Sequence, residues 1–158
     1  MIAPALPENG TVIDLGCGPG RVALPVASLL PVCDVVGMDI SGVMLGHIRR
    51  GPNISTVLCD GRTIPAGDNT ASCVYSGAMF QHIPPDAVMG YLKEIGRVLE
   101  PGGRCALQFV EGQDEAPFMH QLDVATLLDM AEEAGLVDVG AMDDPWQFNW
   151  IWLYGEGV

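Results

Sequence analysis

The residues best suited to chemistry lie in the stretch VIDLGCGPGR, residues 12–21, where glycines follow an acid. Gly16, Gly18 and Gly20 occupy alternate positions after Asp14, at the end of a short apolar run. Glycine allows a sharp turn and lets the backbone approach a ligand closely. A carboxylate beside that turn repels a pyrophosphate and attracts an ammonium group. The stretch therefore predicts a site for a zwitterionic ligand.

The spacing of these glycines counts against two common nucleotide-binding turns. A dinucleotide fingerprint has the pattern GxGxxG, whose third glycine permits close packing of helix on strand. Arg21 is in that third position here, and the extra glycine comes one residue earlier. A phosphate-binding P-loop requires Gly-Lys-Ser/Thr, which occurs nowhere in the chain.

Two further acids end the next two predicted strands. CDVVGMDI contains Asp39 and NISTVLCD ends with Asp60. The carboxyl ends of neighbouring parallel strands meet at one crevice. There a carboxylate at Asp39 could accept hydrogen bonds from ribose hydroxyls, and Asp60 could accept one from an adenine amino group. Together with Asp14, the two acids predict an adenosine site that also holds an ammonium group.

The elements that position these residues are short apolar runs alternating with longer helical segments, which is typical of an α/β protein with a mainly parallel sheet. We predict one domain over residues 1–158, with strands at 11–15, 33–39, 53–60, 72–77, 105–110, 136–142 and 148–156. Helices are predicted at 19–30, 41–50, 85–99 and 123–134. The linker before the last strand is too short for a crossover helix, so that strand should be antiparallel.

Composition indicates a soluble globular protein. The chain has 158 residues, of which 49% are hydrophobic, and it lacks an apolar run of the ~20 residues that a membrane span needs. The N-terminus does not resemble a signal peptide, so we expect a cytoplasmic location with no membrane association. The five cysteines show no CxxC pair, which favours buried thiols over a metal site or a disulfide framework.

The charge of the chain is strongly acidic and uneven. The formal net charge is −13, and residues 105–158 contain no Lys or Arg. Phosphate backbones require cationic partners, so a nucleic-acid substrate is disfavoured. Two interpretations stay open for this acidic region: a solvated surface that keeps the protein soluble, or attraction of a cationic or amine-bearing substrate.

In this order and spacing, the motifs resemble those of the class I S-adenosylmethionine-dependent methyltransferases, in particular the small-molecule branch called methyltransferase type 11. VIDLGCGPGR resembles motif I, VVGMDIS the ribose-binding segment, and VLCDG the adenine-binding segment. VYSGAMFQHIP and LKEIGRVLEPGGRCAL resemble the fourth-strand motif and the elements after it. The resemblance runs from about residue 11 to the C-terminus. It implies a Rossmann-like, doubly wound seven-stranded sheet, with S-adenosylmethionine as cofactor and S-adenosylhomocysteine as product.

The resemblance also implies a role for individual residues. Those expected at the methionine half of the cofactor are Asp14, Gly16, Cys17, Gly18 and Gly20. Those expected at the adenosine half are Asp39, Ile40, Met44, Asp60, Gly61 and Arg62. Ser76 and Gly77 are expected beneath the sulfonium region.

Methyl transfer from a sulfonium is an in-line displacement, for which an oxygen or nitrogen nucleophile can need a general base. His82, after the fourth strand, is the candidate base; the alternative is a structural or substrate-lining histidine. Gln81 could orient a polar group of the substrate. Glu111 and His120 flank the segment after the fifth strand, where this family usually places substrate contacts.

This family usually has cap helices before the first strand, and we expect these to be largely missing here, because the first predicted strand begins at residue 11. A trimmed chain, a covering partner or second subunit, and an open site for a large substrate are the alternatives. We expect oligomerisation, because uncovered apolar surface would otherwise stay wet. The predicted function is methyl transfer to a small-molecule acceptor, on oxygen or nitrogen rather than carbon. The alternative is an inactive S-adenosylmethionine-binding scaffold or regulatory subunit.

Overall fold

The computed structural model describes residues 2–112, 119–145 and 149–158. The strands of these residues form one seven-stranded sheet with the order β3-β2-β1-β4-β5-β7-β6. Their bounds are β1 Gly10–Leu15, β2 Cys33–Asp39, β3 Ile54–Leu58, β4 Ala71–Ser76, β5 Leu99–Val110, β6 Val137–Asp143 and β7 Trp150–Glu156. β1 to β5 pair in parallel, and β7 is antiparallel to both of its neighbours. The mainly parallel α/β sheet with an antiparallel last strand is confirmed.

Helices cover both faces of the sheet, as a doubly wound fold requires. They are α1 Ala23–Leu29, α2 Gly42–Leu45, α3 Pro85–Val98 and α4 Val124–Glu133. Side chains along β1 alternate between the faces: Ile13 packs in the core beneath α3 and α4, whereas Val12 packs in the core beneath α1. None of the helices in the described ranges has the length and hydropathy needed to cross a membrane.

Two helices are shorter than the sequence predicts. α1 begins at Ala23 instead of residue 19, because Gly18 and Gly20 have left-handed φ values of 52° and 82° that a helix cannot include. α2 is capped by the Ser41 hydroxyl, which accepts from the Met44 N–H, and it ends at Leu45 instead of residue 50. Glycines at both ends of this short segment disfavour a longer helix.

Two strand boundaries also differ from the prediction. β3 ends at Leu58, so Asp60 lies two residues beyond the strand. β5 begins at Leu99 instead of residue 105, and its pairing with β4 jumps from Leu99 to Arg104, which places residues 100–103 in a bulge within the strand. Before β1, residues 2–9 contain a 3₁₀ turn, Ala3–Ala5, and no longer helix.

Candidate functional site

The glycine turn lies at the carboxyl end of β1, where the strand order reverses between β1 and β4. In doubly wound sheets, ligands bind at this switch point. The backbone N–H groups of Gly16 and Cys17 donate to the Met38 carbonyl at 2.8 and 3.0 Å, which fastens the turn to β2. A Cβ atom at Gly16 would come within 2.7 Å of the Met79 sulfur, so this position requires glycine.

The space beside Gly18 is open. Its φ is 52°, and a Cβ atom added there would meet no protein atom within 4 Å. Gly18 is also one of the residues that line a cavity. A side chain at this position would therefore project into space that a ligand can use.

Asp39, at the end of β2, holds the glycine turn and the start of α2 together. Its Oδ2 accepts from the Gly18 N–H and its Oδ1 from the Ser41 N–H, each at 2.8 Å. A carboxylate oxygen can accept more than one hydrogen bond, so Asp39 keeps acceptor capacity for a ligand. The sequence identified the residue but missed that it also organises the backbone of the turn.

Asp14 is buried at the base of the site, with 3% of its surface exposed. The Tyr75 hydroxyl donates to its Oδ2 at 3.0 Å. Burial raises the pKa of Asp14 from 3.8 to about 7, against the opposing effect of the hydrogen bond from Tyr75. The carboxyl group is therefore poised to ionise near neutral pH, and a nearby cation would favour the ionised form.

Asp60 serves its own loop in this structure. Its Oδ1 accepts from the backbone N–H groups of Arg62 and Thr63 at 2.8 Å, and these bonds lower the pKa of Asp60. The carboxylate is exposed, and neither Asp60 nor Arg62 lines the cavities described below. Gly61 between them does line one, so an adenine contact from Asp60 or Arg62 stays a prediction.

Two adjoining cavities open along the strand ends. The strand-2 cavity, of about 350 Å³, is lined by the following residues: Leu15, Gly16, Met38, Asp39, Ile40, Cys59, Gly61, Thr63, Ala78, Met79, His82, Ile83 and Tyr91. The glycine-turn cavity, of about 430 Å³, is lined by Asp14, Gly16, Cys17, Gly18, Pro19, Arg21, Val22, Gly77, Ala78, Gln108 and Trp152. Both volumes are typical of small-molecule sites. Gly16 and Ala78 belong to both linings, so one elongated ligand could extend across them.

The remaining predicted cofactor residues differ in whether they line a cavity. Ile40 is 69% exposed and lines the strand-2 cavity, whereas Met44 is 44% exposed and lines neither cavity. Gly20 packs inward, since an added Cβ would come within 2.8 Å of Ile48. Ser76 is buried, and its hydroxyl donates to the Leu15 carbonyl at 2.7 Å. Ser76 thus joins β4 to β1 beneath the site.

A buried polar chain that the sequence interpretation missed supports the turn after β4. Ala78 has a left-handed φ of 57°, and its N–H donates to the Gln108 Oε1 at 2.9 Å. Gln108 Nε2 and Trp152 Nε1 each donate to the Asp144 Oδ2 at 2.9 Å. This chain holds Ala78 in a strained conformation at the junction of the two cavities. The sequence feature that could have indicated this buried chain is the glutamine within CALQFV, an otherwise apolar strand.

His82 ends the 3₁₀ turn Phe80–His82 and lines the strand-2 cavity. The buried Gln81 donates from Nε2 to the Ala78 carbonyl at 2.7 Å, and the same nitrogen lies 3.3 Å from His82 Nε2. An amide nitrogen does not accept, so this contact is a hydrogen bond only in the His82 tautomer that carries its proton on Nδ1 and accepts at Nε2. In that tautomer, general-base action by His82 at Nε2 requires the contact to open.

His120 and Glu111, the other two candidate substrate residues, lie near the site but outside its two cavities. The His120 N–H donates to the Gln81 carbonyl at 2.7 Å, which places His120 beside the 3₁₀ turn. Glu111 follows β5, and its N–H donates to the Asn149 carbonyl at 2.7 Å. Neither side chain lines the two cavities, so their contact with a substrate stays a prediction.

Arg97 fastens the loop after β3 to α3. Its guanidinium donates to both carboxylate oxygens of Glu94, at 2.7 and 2.8 Å, and to the Ile64 carbonyl at 2.9 Å. It also pairs with Asp68 at 2.6 Å. These bonds hold the segment that carries Gly61 in place beside the strand-2 cavity.

Comparison with known proteins agrees with this arrangement of strand ends. Residues 12–103 match the model of a family described as the methyltransferase domain. The chain belongs to this family. The matched residues run from β1 into β5 and so include the glycine turn, Asp39 and the 3₁₀ turn. The resemblance to S-adenosylmethionine-dependent methyltransferases is confirmed at the level of the domain.

Curated relatives of the chain have different names. A trans-aconitate 2-methyltransferase of Variovorax paradoxus is 33% identical over 134 residues, which cover 84% of this chain and 51% of the relative. A ubiquinone/menaquinone biosynthesis C-methyltransferase of Desulfotalea psychrophila is 35% identical over 102 residues, covering 63% of this chain and 41% of the relative. The chain thus spans about half the length of these curated relatives or less.

A solved structure confirms the Rossmann-like fold. The phosphoethanolamine N-methyltransferase 2 of Haemonchus contortus, in complex with S-adenosyl-L-methionine, superposes with a TM-score of 0.81 at 17% identity. The match covers 96% of this chain and 49% of that one. At this identity, the comparison establishes the fold of the methyltransferase domain.

Proposed function

We propose that this methyltransferase domain binds S-adenosylmethionine at the strand ends and transfers its methyl group to a small-molecule acceptor. The observation that carries the proposal is the pair of adjoining cavities, one beside the glycine turn and Asp14, the other beside Asp39. They lie within residues that match the methyltransferase family. The family match supports the enzyme class, and the site geometry supports the cofactor.

The residues of the two cavities fit the two halves of this cofactor. Asp39 and Ile40 would hold the adenosine in the strand-2 cavity, with Gly61 opposite Ile40. Asp14 would face the ammonium group in the glycine-turn cavity, where the open space beside Gly18 leaves room for the amino acid half. The cofactor supplies an electrophilic methyl group on a sulfonium.

The contribution of the chain to catalysis would be mainly positional. Fixing the two halves of the cofactor orients the methyl group for in-line attack, and such orientation can supply much of a rate enhancement. The strained turn at Ala78 adjoins both cavities and is held by Gln108. With its proton on Nδ1, His82 would accept a proton from the acceptor at Nε2 once Gln81 moves from that nitrogen. A nucleophile that is already deprotonated needs no such base.

We propose an acceptor that is neutral or amine-bearing and is methylated on oxygen or nitrogen. A polycarboxylate acceptor, as in the name of the Variovorax relative, would call for several cationic side chains. Residues 105–158, which include the segment after β5, contain no Lys or Arg. The acidic balance of the chain supports an acceptor without multiple negative charges.

The cofactor site is tested by a matched pair of glycine variants. Gly18→Ala places a Cβ in the glycine-turn cavity, whereas Gly102→Ala places one in open space on the bulge of β5. Both glycines have left-handed φ and no protein atom within 4 Å of the added Cβ, so both variants carry similar strain. Calorimetry with S-adenosylhomocysteine should show weaker binding for Gly18→Ala alone. Equal affinities for the two variants would contradict the assigned site.

The reaction is tested by incubating the protein with methyl-labelled S-adenosylmethionine and a panel of phenols, amines, mono- and tricarboxylates. Label transfer to phenols or amines supports the proposed acceptor class. Transfer to a tricarboxylate alone, or to carbon, would overturn it. Tight cofactor binding without turnover on any acceptor would favour the scaffold alternative.

A further inference from the structure

The two cavities differ in the charges that face them. The glycine-turn cavity is lined by one acid and one base, Asp14 and Arg21. The strand-2 cavity contains Asp39 and no Lys or Arg among its lining residues. Arg21 is exposed, and it takes part in none of the ion pairs found within the described ranges. Its guanidinium is therefore available to a ligand in the glycine-turn cavity.

We propose that Arg21 binds the carboxylate of the amino acid half of S-adenosylmethionine, and so decides which cavity receives that half. The inference rests on the function proposed above. An α-amino acid group carries one ammonium and one carboxylate, and the cavity offers Asp14 for the first and Arg21 for the second. A guanidinium matches a carboxylate with two parallel N–H donors, which makes the pair directional as well as strong.

Among the described residues that line this cavity, Arg21 is the one Lys or Arg. β5 and β7 contribute Gln108 and Trp152 to the lining, and both residues lie in the stretch 105–158, which contains no Lys or Arg. A ligand bound in the reverse orientation would place its carboxylate near Asp39, which carries the same sign of charge. Arg21 thus favours one orientation and disfavours the other.

The test compares three probes by calorimetry: S-adenosylhomocysteine, its decarboxylated analogue, and 5′-methylthioadenosine, which lacks the amino acid half. The variants are Arg21→Met, Arg21→Lys and the matched control Arg49→Met, an exposed arginine that lines neither cavity. Arg21→Met should weaken S-adenosylhomocysteine binding about tenfold, the loss expected for a charge-assisted hydrogen bond at an exposed site. Arg21→Lys should fall between Arg21→Met and the wild type, because an ammonium cannot form the paired contact.

The probes separate the inference from the proposed function. Arg21→Met should bind the decarboxylated analogue and 5′-methylthioadenosine as the wild type does, and the control should leave all three affinities unchanged. Two results would overturn the role of Arg21 while leaving the cofactor site intact. Arg21→Met could weaken the binding of all three probes equally, or it could leave the binding of all three unchanged. A wild-type protein that binds neither S-adenosylhomocysteine nor 5′-methylthioadenosine would overturn the proposed function itself. Circular dichroism melts of each variant confirm that the fold is retained.

Discussion

Replacing Asp14 with asparagine is expected to stabilise the protein near and above neutral pH. The carboxyl group is buried, and its pKa is raised from 3.8 to about 7, mainly by burial. The native state therefore retains this proton at pH values where the unfolded chain has lost it. Stability falls as the pH rises from about 4 to about 7, because over that range the unfolded state has fewer bound protons. Asparagine does not ionise, so the variant lacks this fall.

The two pKa values determine the size of the effect. Between a pKa of 3.8 in the unfolded chain and about 7 in the native state, ionisation costs about 2 kcal/mol of stability at about pH 5 and about 4 kcal/mol at about pH 8. The stability of Asp14→Asn relative to the wild type should therefore rise by about 2 kcal/mol across this interval. The asparagine oxygen can still accept from the Tyr75 hydroxyl, so the hydrogen bond at 3.0 Å is conserved.

Urea unfolding of both proteins at a series of pH values provides the measurement. Steric effects of the substitution are the same at every pH and cancel in the slope of the difference. Contributions of groups that the two proteins share cancel in the same way. Asp34→Asn, at an exposed position in β2, controls for the removal of a negative charge as such. A difference between Asp14→Asn and the wild type that stays constant with pH would refute the reasoning.

Other substitutions test the contacts around the cavities. Asp39→Ala should weaken S-adenosylhomocysteine binding about tenfold or more by calorimetry, and should also lower the melting temperature, because two backbone N–H groups lose their acceptor. Gln108→Leu leaves the Ala78 N–H without its acceptor and should cost about 1–3 kcal/mol in urea unfolding; an unchanged midpoint would argue against the buried chain. Arg97→Met should cost about 2 kcal/mol and speed amide exchange in the loop after β3; unaltered exchange would show that the loop holds by itself. Oligomerisation stays a prediction, and a clean monomer by sedimentation with and without cofactor would count against it.

The order of elements could be predicted from local patterns. Runs such as TVIDL and SCVYSG are apolar because their strands are covered on both faces, and that signal lies within a few residues. The Ser41 cap and the close of α4 at Gly135 are equally local. Element lengths were less predictable. The extents of α1 and α2 depend on how the glycine turn and the segment after Leu45 pack against neighbouring strands.

The residues of the candidate site also differ in how far their roles could be predicted from the sequence. Asp14 and Asp39 were identified from their positions at strand ends, and both line the cavities. Asp60 has the same sequence context, yet its carboxylate bonds to the backbone of its own loop. Whether an acid at a strand end faces a ligand or its own loop depends on the path of the loop that follows. A strand pattern contains no information about that path.

The sequence by itself determined the α/β architecture, the glycine turn and the acids that follow the strands, because each depends on residue types a short distance apart. The tertiary structure alone decided which groups meet. Gln108 and Asp144 are 36 residues apart and share a buried hydrogen bond beneath Ala78. Arg21 and Asp14 face one cavity because the chain reverses around Gly16 and Gly18. Burial, which moves the pKa of Asp14 toward neutrality, exists only when the sheet and helices have packed around it.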